Sequence, residues 1–270
     1  MTNQEGKLER VSSFVLGYSF VIRSLGIRHS FVIRSLGIRH FVLVIEYTMT
    51  IYERALEFVR DGSTIGFGSG RASTEFLKLL GARVEAGFHI RGVPTSRATA
   101  TLAMRLGITL VSLEEAMPID VTVDGADEVD PHLNLIKGYG RALVREKIVA
   151  AASKQLVILA GPGKEVERLG ARGKLPVEVV PFALPLCCRR LTELGCVPVP
   201  YRADKSLFVT DNGNHILDCE ISPIPEPAEF EAKVRAIPGV VDTGLFLGMA
   251  DTVLIGDEAF ELIKEKVRSP

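Results

Sequence analysis

The chain is 270 residues long, 47% hydrophobic and 24% charged, and its 32 Lys and Arg against 33 Asp and Glu leave a formal net charge of -1. That apolar content excludes intrinsic disorder, 25 glycines are too few for a collagen period, and the near-neutral balance gives no general field for nucleic acid. One or two globular domains are expected.

Residues Ser19 to His29 read SFVIRSLGIRH, and Ser30 to His40 read the same again. Two copies do not make a solenoid, which needs three or more units of about 20 to 50 residues. The period suits three helical turns, and its arginines suit a basic amphipathic arm or an organelle-directing segment. The alternative, preferred here, is that translation starts at Met49 and that residues 1–48 are an extension outside the fold. Helical periodicity begins with Ile51, Ala55, Leu56 and Val59.

A strand over Thr64 to Phe67 then runs into the turn Gly66-Phe67-Gly68-Ser69-Gly70 and a helix carrying Phe76, Leu77, Leu79 and Leu80. A helix near Ser96 to Leu106 follows, with strands near Thr109 to Val111 and over Ile119 to Val123, a helix over about Arg141 to Ala152, and a strand over Leu156 to Ala160. This alternation predicts an α/β fold, a Rossmann-like, mostly parallel sheet with helices on both faces. Beyond Gly170, Leu175 to Val180 reads as strand, Pro185 to Leu194 as helix, and Asp211-Asn212-Gly213-Asn214 as a hairpin turn before a strand over His215 to Cys219. A helix over about Ala228 to Ala236 completes a smaller α+β lid. Val240 to Leu247 and Thr252 to Ile255 are expected to return to the first sheet, ahead of a final helix of alternating charge. The expected division is residues 49–172 with 241–270 as the catalytic domain and 173–240 as the lid.

Cys187, Cys188, Cys196 and Cys219 lack the CxxC pairs of a zinc site and read as reduced core thiols. No stretch approaches the roughly 18 consecutive apolar residues that cross a bilayer, and no signal peptide is visible, so the expected compartment is the cytoplasm, with no membrane partner.

Three segments carry chemistry. The turn Gly66 to Gly70 aims backbone amides and a helix N-terminus at an anion, although it matches neither a dinucleotide fingerprint nor a P-loop. The second segment, Asp124-Gly125-Ala126-Asp127-Glu128-Val129-Asp130, places four acids at the carboxyl end of a strand, where open α/β sheets bind ligands. Clustered carboxylates raise one another's pKa unless a cation intervenes. A magnesium cage is one reading; Lys137 as the compensating cation is the other. In the third segment Glu146 has Ala142, Leu143, Val149 and Ala150 as its helical neighbours, so its carboxylate lies on an apolar stripe. Such a group has a raised pKa suited to a general base near neutrality. Together the three suggest proton transfer next to a carbonyl in a small phosphorylated substrate.

The runs DGADEVD, KGYGRALVREKIVA, KLPVEVVPFA, TDNGNHILD and IPGVVDTGLF resemble, in this order and spacing, ribose-5-phosphate isomerase of the A type, over essentially all of residues 49–270. The resemblance implies an aldose-ketose isomerase of the pentose phosphate pathway that works through an enediolate without metal or organic cofactor. It implies Glu146 as the base, Asp124 and Asp127 as the acids that hold sugar hydroxyls and assist ring opening and oxygen-to-oxygen proton transfer, and Lys137 as the group stabilising the intermediate's negative charge. Substrate contacts are implied at Ser69, Gly70, Arg71 and Ala72, at Gly125 and Ala126, at Gly138, Tyr139 and Gly140, and at Lys164. A homodimer or homotetramer is implied as well.

The chain departs from the family pattern at three points. The usual GTGST reads Gly68-Ser69-Gly70-Arg71-Ala72, the lysine common early in the first helix is missing between Thr48 and Glu53, with Arg54 the nearest cation, and KGGG reads Lys137-Gly138-Tyr139-Gly140. Arg71 is expected to compensate, since a guanidinium binds phosphate through two donors. The alternatives these departures raise are an isomerase of another sugar phosphate and a non-catalytic sugar-phosphate sensor.

Overall fold

The computed structural model describes residues 32–35, 41–44 and 48–268. The chain forms two compact units, residues 1–48 and 49–270. In the first, β1 (Val32–Ser35) pairs antiparallel with β2 (Phe41–Val44), from Val32 opposite Val44 to Ser35 opposite Phe41. Part of the second repeat copy is thus strand where the period suited a helix; the first copy lies outside the described residues.

In the second unit α1 (Ile51–Leu56) opens with a capping box, Thr50 accepting from the Glu53 amide while Glu53 accepts from the Thr50 amide. Then come β3 (Thr64–Phe67), α2 (Arg71–Glu85), β4 (Arg91–Pro94), α3 (Arg97–Arg105), β5 (Thr109–Leu110), α4 (Leu113–Ala116) and β6 (Val121–Gly125). The short strands β7 (Glu128–Val129) and β8 (Leu135–Ile136) lead to α5 (Leu143–Ala151) and β9 (Leu156–Ala160). The next stretch holds β10 (Lys174–Val179), α6 (Leu184–Glu193), β11 (Val197–Pro200), β12 (Arg202–Ala203), β13 (Ser206–Leu207), β14 (His215–Glu220) and α7 (Pro227–Arg235). The chain closes with β15 (Val240–Thr243), β16 (Leu245–Phe246), β17 (Thr252–Gly256) and β18 (Leu262–Val267).

The main sheet has seven strands in the order β18-β17-β9-β6-β3-β4-β5, all parallel except β18. Side chains of a strand alternate between faces. Accordingly Val157 and Leu159 pack with α1 and α2, whereas Leu156, Ile158 and Ala160 pack with Val129, Leu135 and Phe246 of the small sheet β16-β8-β7. The central strands β3, β6 and β9 therefore end together at one rim. The expected mostly parallel α/β sheet is what forms.

A separate antiparallel sheet, β11-β14-β10-β15, is covered on one face by α6 and α7, whose Leu191 and Val234 meet Leu175, Val177 and Leu217. All four cysteines lie in or against this core, and all are free.

Three local expectations are corrected. The closing helix of alternating charge is the strand β18, because a period of two suits a strand: Lys264 and Lys266 both reach Glu165, and Glu265 between them reaches Arg54. Of the segment expected to return to the main sheet, β15 pairs with β10 in the smaller sheet and β16 with β8; only β17 joins β9. The smaller sheet thus runs on to Thr243, past the expected boundary at 240. Finally, Asp211 to Asn214 does form a turn, but β14 pairs with β10 and β11, and β13 with β12, so no two-stranded hairpin spans Asn212-Gly213.

Candidate active site

The site is built at the carboxyl ends of β3, β6 and β9. After β3 the chain turns through Gly68 and Gly70 into α2. A Cβ at Gly68 would fall 1.9 Å from Asp124 Oδ1, so only glycine lets the turn approach β6. Gly70, at the N-cap, has a φ of 104°, which also favours glycine.

Asp124 on β6 is only 1% exposed. Its Oδ1 accepts from Ser73 Oγ (3.1 Å) and the Gly125 amide (2.7 Å), and its Oδ2 lies 2.8 Å from Lys137 Nζ. The same ammonium donates to the Gly125 carbonyl (2.7 Å) and stands 3.2 Å from Glu146 Oε2. Lys137 and Glu146 are each 2% exposed, and Glu146 Oε2 has no hydrogen-bond partner, the contact with Lys137 being one of charge. Two buried carboxylates thus share one ammonium. Burial pushes the Glu146 carboxyl up to about 8, with Lys137 opposing and Asp124 adding to the rise. Burial pulls the Lys137 ammonium down, but Asp124 and Glu146 more than reverse this, so it stays charged.

Asp127 Oδ2 accepts from the Tyr139 amide (3.0 Å), and its Oδ1 lies 3.6 Å from Lys164 Nζ. The other two acids of the run turn away from the site. Glu128 accepts from the amides of Gly170 and Arg172, and Asp130 accepts from the amides of His132 and Asn134. Among the described residues no three His, Cys, Asp or Glu side chains are grouped to hold a metal ion.

These elements wall a cleft of about 650 Å³. Ser69, Gly70, Arg71 and Ala72 line it from the first turn, Gly125, Ala126 and Asp127 from the end of β6, and Lys137, Gly138, Tyr139 and Gly140 from the loop after β8. Glu146 and Lys164 line it too, whereas Asp124 lies beneath the surface, behind Lys137 and Gly68. The Tyr139 ring reaches the smaller sheet, its hydroxyl donating to the Lys174 carbonyl (3.1 Å) and Lys174 Nζ standing 3.9 Å from the ring centroid. Arg54 faces elsewhere, held by Glu57 and by both oxygens of Glu265.

Sequence reasoning passed over several neighbours. Ser69 Oγ sits among the hydroxyls of Thr95 (2.9 Å), Ser96 (2.8 Å) and Thr99 (3.2 Å). Ser96 also caps α3 by accepting from the Thr99 amide, a spacing that could have been read from the sequence. Gly161 and Pro162 after β9, and Glu258 and Phe260 after β17, complete the wall. They follow β9, which neighbours β6, and β17, the next strand out, and ligands bind beyond the carboxyl ends of such parallel strands.

An open parallel sheet, a glycine turn leading into a helix at its rim, and a buried carboxylate beside a charged lysine have the make-up of an enzyme site suited to proton transfer. The family model described as Ribose 5-phosphate isomerase A (phosphoriboisomerase A) matches residues 91–259. Ribose-5-phosphate isomerase A of Roseiflexus castenholzii is 51% identical over 213 residues, covering 77% of this chain and 91% of that protein. Its counterpart in Gloeobacter violaceus is 48% identical over 211 residues, with the same coverage. Among solved structures, ribose 5-phosphate isomerase A of Methanocaldococcus jannaschii superposes with a TM-score of 0.76 at 37% identity, covering 81% of this chain and 96% of that one. A D-ribose-5-phosphate isomerase in complex with phospho-erythronic acid gives 0.77 at 37% identity, covering 80% and 96%. The chain belongs to the ribose 5-phosphate isomerase A family.

Proposed function

We propose that the chain interconverts D-ribose 5-phosphate and D-ribulose 5-phosphate with Glu146 as the general base. Ionised Glu146 takes the proton from C2 of the open-chain aldose, leaving an enediolate, and returns it to C1, while the O2 hydroxyl proton passes to O1 with Asp127 as the relay, so that a C1 hydroxyl and a C2 carbonyl result. Lys137 stabilises the negative charge that develops on oxygen, since it is held charged where solvent is excluded. Asp127 and Lys164 hold the sugar from the loop side. Asp124 acts by fixing Lys137 from below. The Gly68 to Ala72 turn, with Arg71 and the start of α2, receives the phosphate.

The observation that carries this reading is Glu146 itself: a buried carboxylate with an oxygen unpartnered by hydrogen bonds, on the wall of the cleft, beside a charged lysine. The test is exchange of the C2 proton of ribose 5-phosphate with solvent deuterium. Glu146→Gln should slow exchange at least about a hundredfold, the scale of lost general base catalysis. Exchange at the original rate would remove Glu146 from the role.

The β10–β15 unit is proposed as a lid over this cleft. A cytoplasmic homodimer or homotetramer is also proposed, following the resemblance; sedimentation of the full chain measures its mass.

A further inference from the structure

The motif TDNGN at 210–214 is not absorbed by the chemistry above, yet it is tied down by one of the most buried carboxylates in the protein. Glu178 on β10 is 0% exposed, and its Oε1 accepts from Thr210 Oγ1 (3.0 Å), Asn212 Nδ2 (3.1 Å) and Asn214 Nδ2 (2.8 Å). Thr210 Oγ1 in turn accepts from the amides of Asn212 (3.2 Å) and Asn214 (3.1 Å). A turn bound this fully from inside holds its outward groups in fixed positions.

Those outward groups reach two helices of the site. Arg145 Nε donates to Asn212 Oδ1 (2.8 Å), and Arg145 Nη2 donates to the Asp211 carbonyl (2.9 Å). On the other side, Asp211 Oδ2 accepts from the Arg97 amide (2.7 Å) at the start of α3, next to the Ser96 hydroxyl that accepts from Ser69. Arg145 directly precedes Glu146 on α5, and Lys147 directly follows it, bound to Asp242 (2.7 Å) and Glu231 (3.2 Å). Successive helical residues are about 100° apart around the axis, so fixing the side chains on both sides of Glu146 fixes the rotation of α5 and the direction of its carboxylate. No side chain caps the start of α5 to do this instead.

We infer that the 210–214 turn is a strap that sets the aim of the base, with Arg145 and Asn212 as positioning residues for the isomerisation. The inference rests on Glu146 being the base. Neither residue lines the cleft, so their effect on turnover passes through α5.

The test uses the full chain with ribose 5-phosphate and four variants: Arg145→Gln, Asn212→Ala, the two combined, and Arg145→Lys. Asn212 is exposed and Glu178 keeps Thr210 and Asn214, so Asn212→Ala retains the turn. Misplacing a reacting group by about 1 Å costs on the order of a hundredfold, and a partial rotation less. Arg145→Gln and Asn212→Ala should each lower kcat about tenfold with KM changed less than about twofold. The combination should be no worse than Arg145→Gln alone, because that variant already removes the Asn212 contact together with the one to the Asp211 carbonyl. Arg145→Lys, which reaches one of the two acceptors, should recover part of kcat. Unchanged kcat, a loss confined to KM or melting temperature, or additive losses in the combination would overturn the strap. C2 exchange separates the two readings. If Glu146→Gln abolishes exchange while Arg145→Gln turns over normally, the strap alone fails; if Glu146→Gln exchanges normally, the base assignment fails first.

Discussion

Replacing Glu146 by Gln should stabilise the protein, and by an amount that depends on pH. In the unfolded chain this carboxyl titrates near its ordinary 4.5, whereas in the folded protein burial lifts it to about 8. Between these values the folded state binds a proton that the unfolded state has released. Stability is then lost as pH rises through that window, because unfolding is favoured wherever the unfolded state binds fewer protons. Each pH unit in the window is worth about 1.4 kcal/mol, so at pH 7 the cost is on the order of 3 kcal/mol. Glutamine keeps the shape, is neutral at every pH, and escapes this term.

The measurement is urea unfolding of both proteins at several pH values, read as the difference in unfolding free energy. That difference should be small near pH 4.5, grow toward pH 7 and level off above about 8. The catalytic counterpart has the opposite sense, since kcat/KM requires the ionised base and should rise with pH through the same region. A stability difference that is flat with pH, or that shrinks as pH rises, would show that Glu146 is not held protonated by burial.

Arg71→Ala should raise KM for ribose 5-phosphate about ten- to a hundredfold, the worth of a charged hydrogen-bond partner of phosphate, while affecting unphosphorylated ribose less; equal losses on both substrates would return Arg71 to a surface role. A chain beginning at Met49 should melt and turn over like the full chain, because the described core clusters draw only on residues from Ile51 onward; a drop of several degrees in melting temperature would show that the repeats pack on the fold. Gly68→Ala should lower kcat/KM at least about tenfold and cost about 1 to 3 kcal/mol of stability, since the added methyl displaces Asp124; a variant with native activity would show that the turn has room to yield.

The parts of the site legible in the sequence are those whose chemistry is costly enough to demand a reason. A glutamate among Leu143, Val149 and Ala150, four acids in seven residues, and glycines ahead of a helix each pose such a demand. Even there the pattern was silent on which acid goes where: Asp127 lines the cleft and Asp124 lies beneath it against Lys137, whereas Glu128 and Asp130 satisfy backbone amides of neighbouring loops. The helix carrying Glu146 also gave no hint that its cation would come from Lys137, since that contact is made by the fold and not by helical spacing. The misread C-terminus fails for a different reason. Lys264-Glu265-Lys266 offers no apolar periodicity to separate strand from helix, and the choice is made by pairing with β17 and by Glu165 and Arg54 on either side. Partner choice was likewise hidden at Val240–Thr243, whose strand character was plain but whose sheet depends on β10.

Asp124 presents the sharpest consequence of sharing one ammonium between two buried carboxylates. Lys137 lies 2.8 Å from Asp124 and 3.2 Å from Glu146, so Asp124 draws the cation away from the base and also repels the base's charge. Burial is the main reason the Glu146 carboxyl is high, and Asp124 adds to it, with Asp127 adding further repulsion. Asp124→Asn keeps an Oδ1 for Ser73 and the Gly125 amide but sets an amide against the ammonium, so Lys137 turns to Glu146. The base then titrates at lower pH and becomes weaker. On this reasoning the rising limb of the kcat/KM profile should move toward acid, and the plateau should fall because proton abstraction follows the strength of the base. The assay is the isomerase rate at pH values on both sides of the limb expected near 8, extended to the acid side where the variant's limb should fall. A limb that stays in place, or moves toward alkali, would mean that Asp124 does not compete for Lys137 and acts on the substrate by another route.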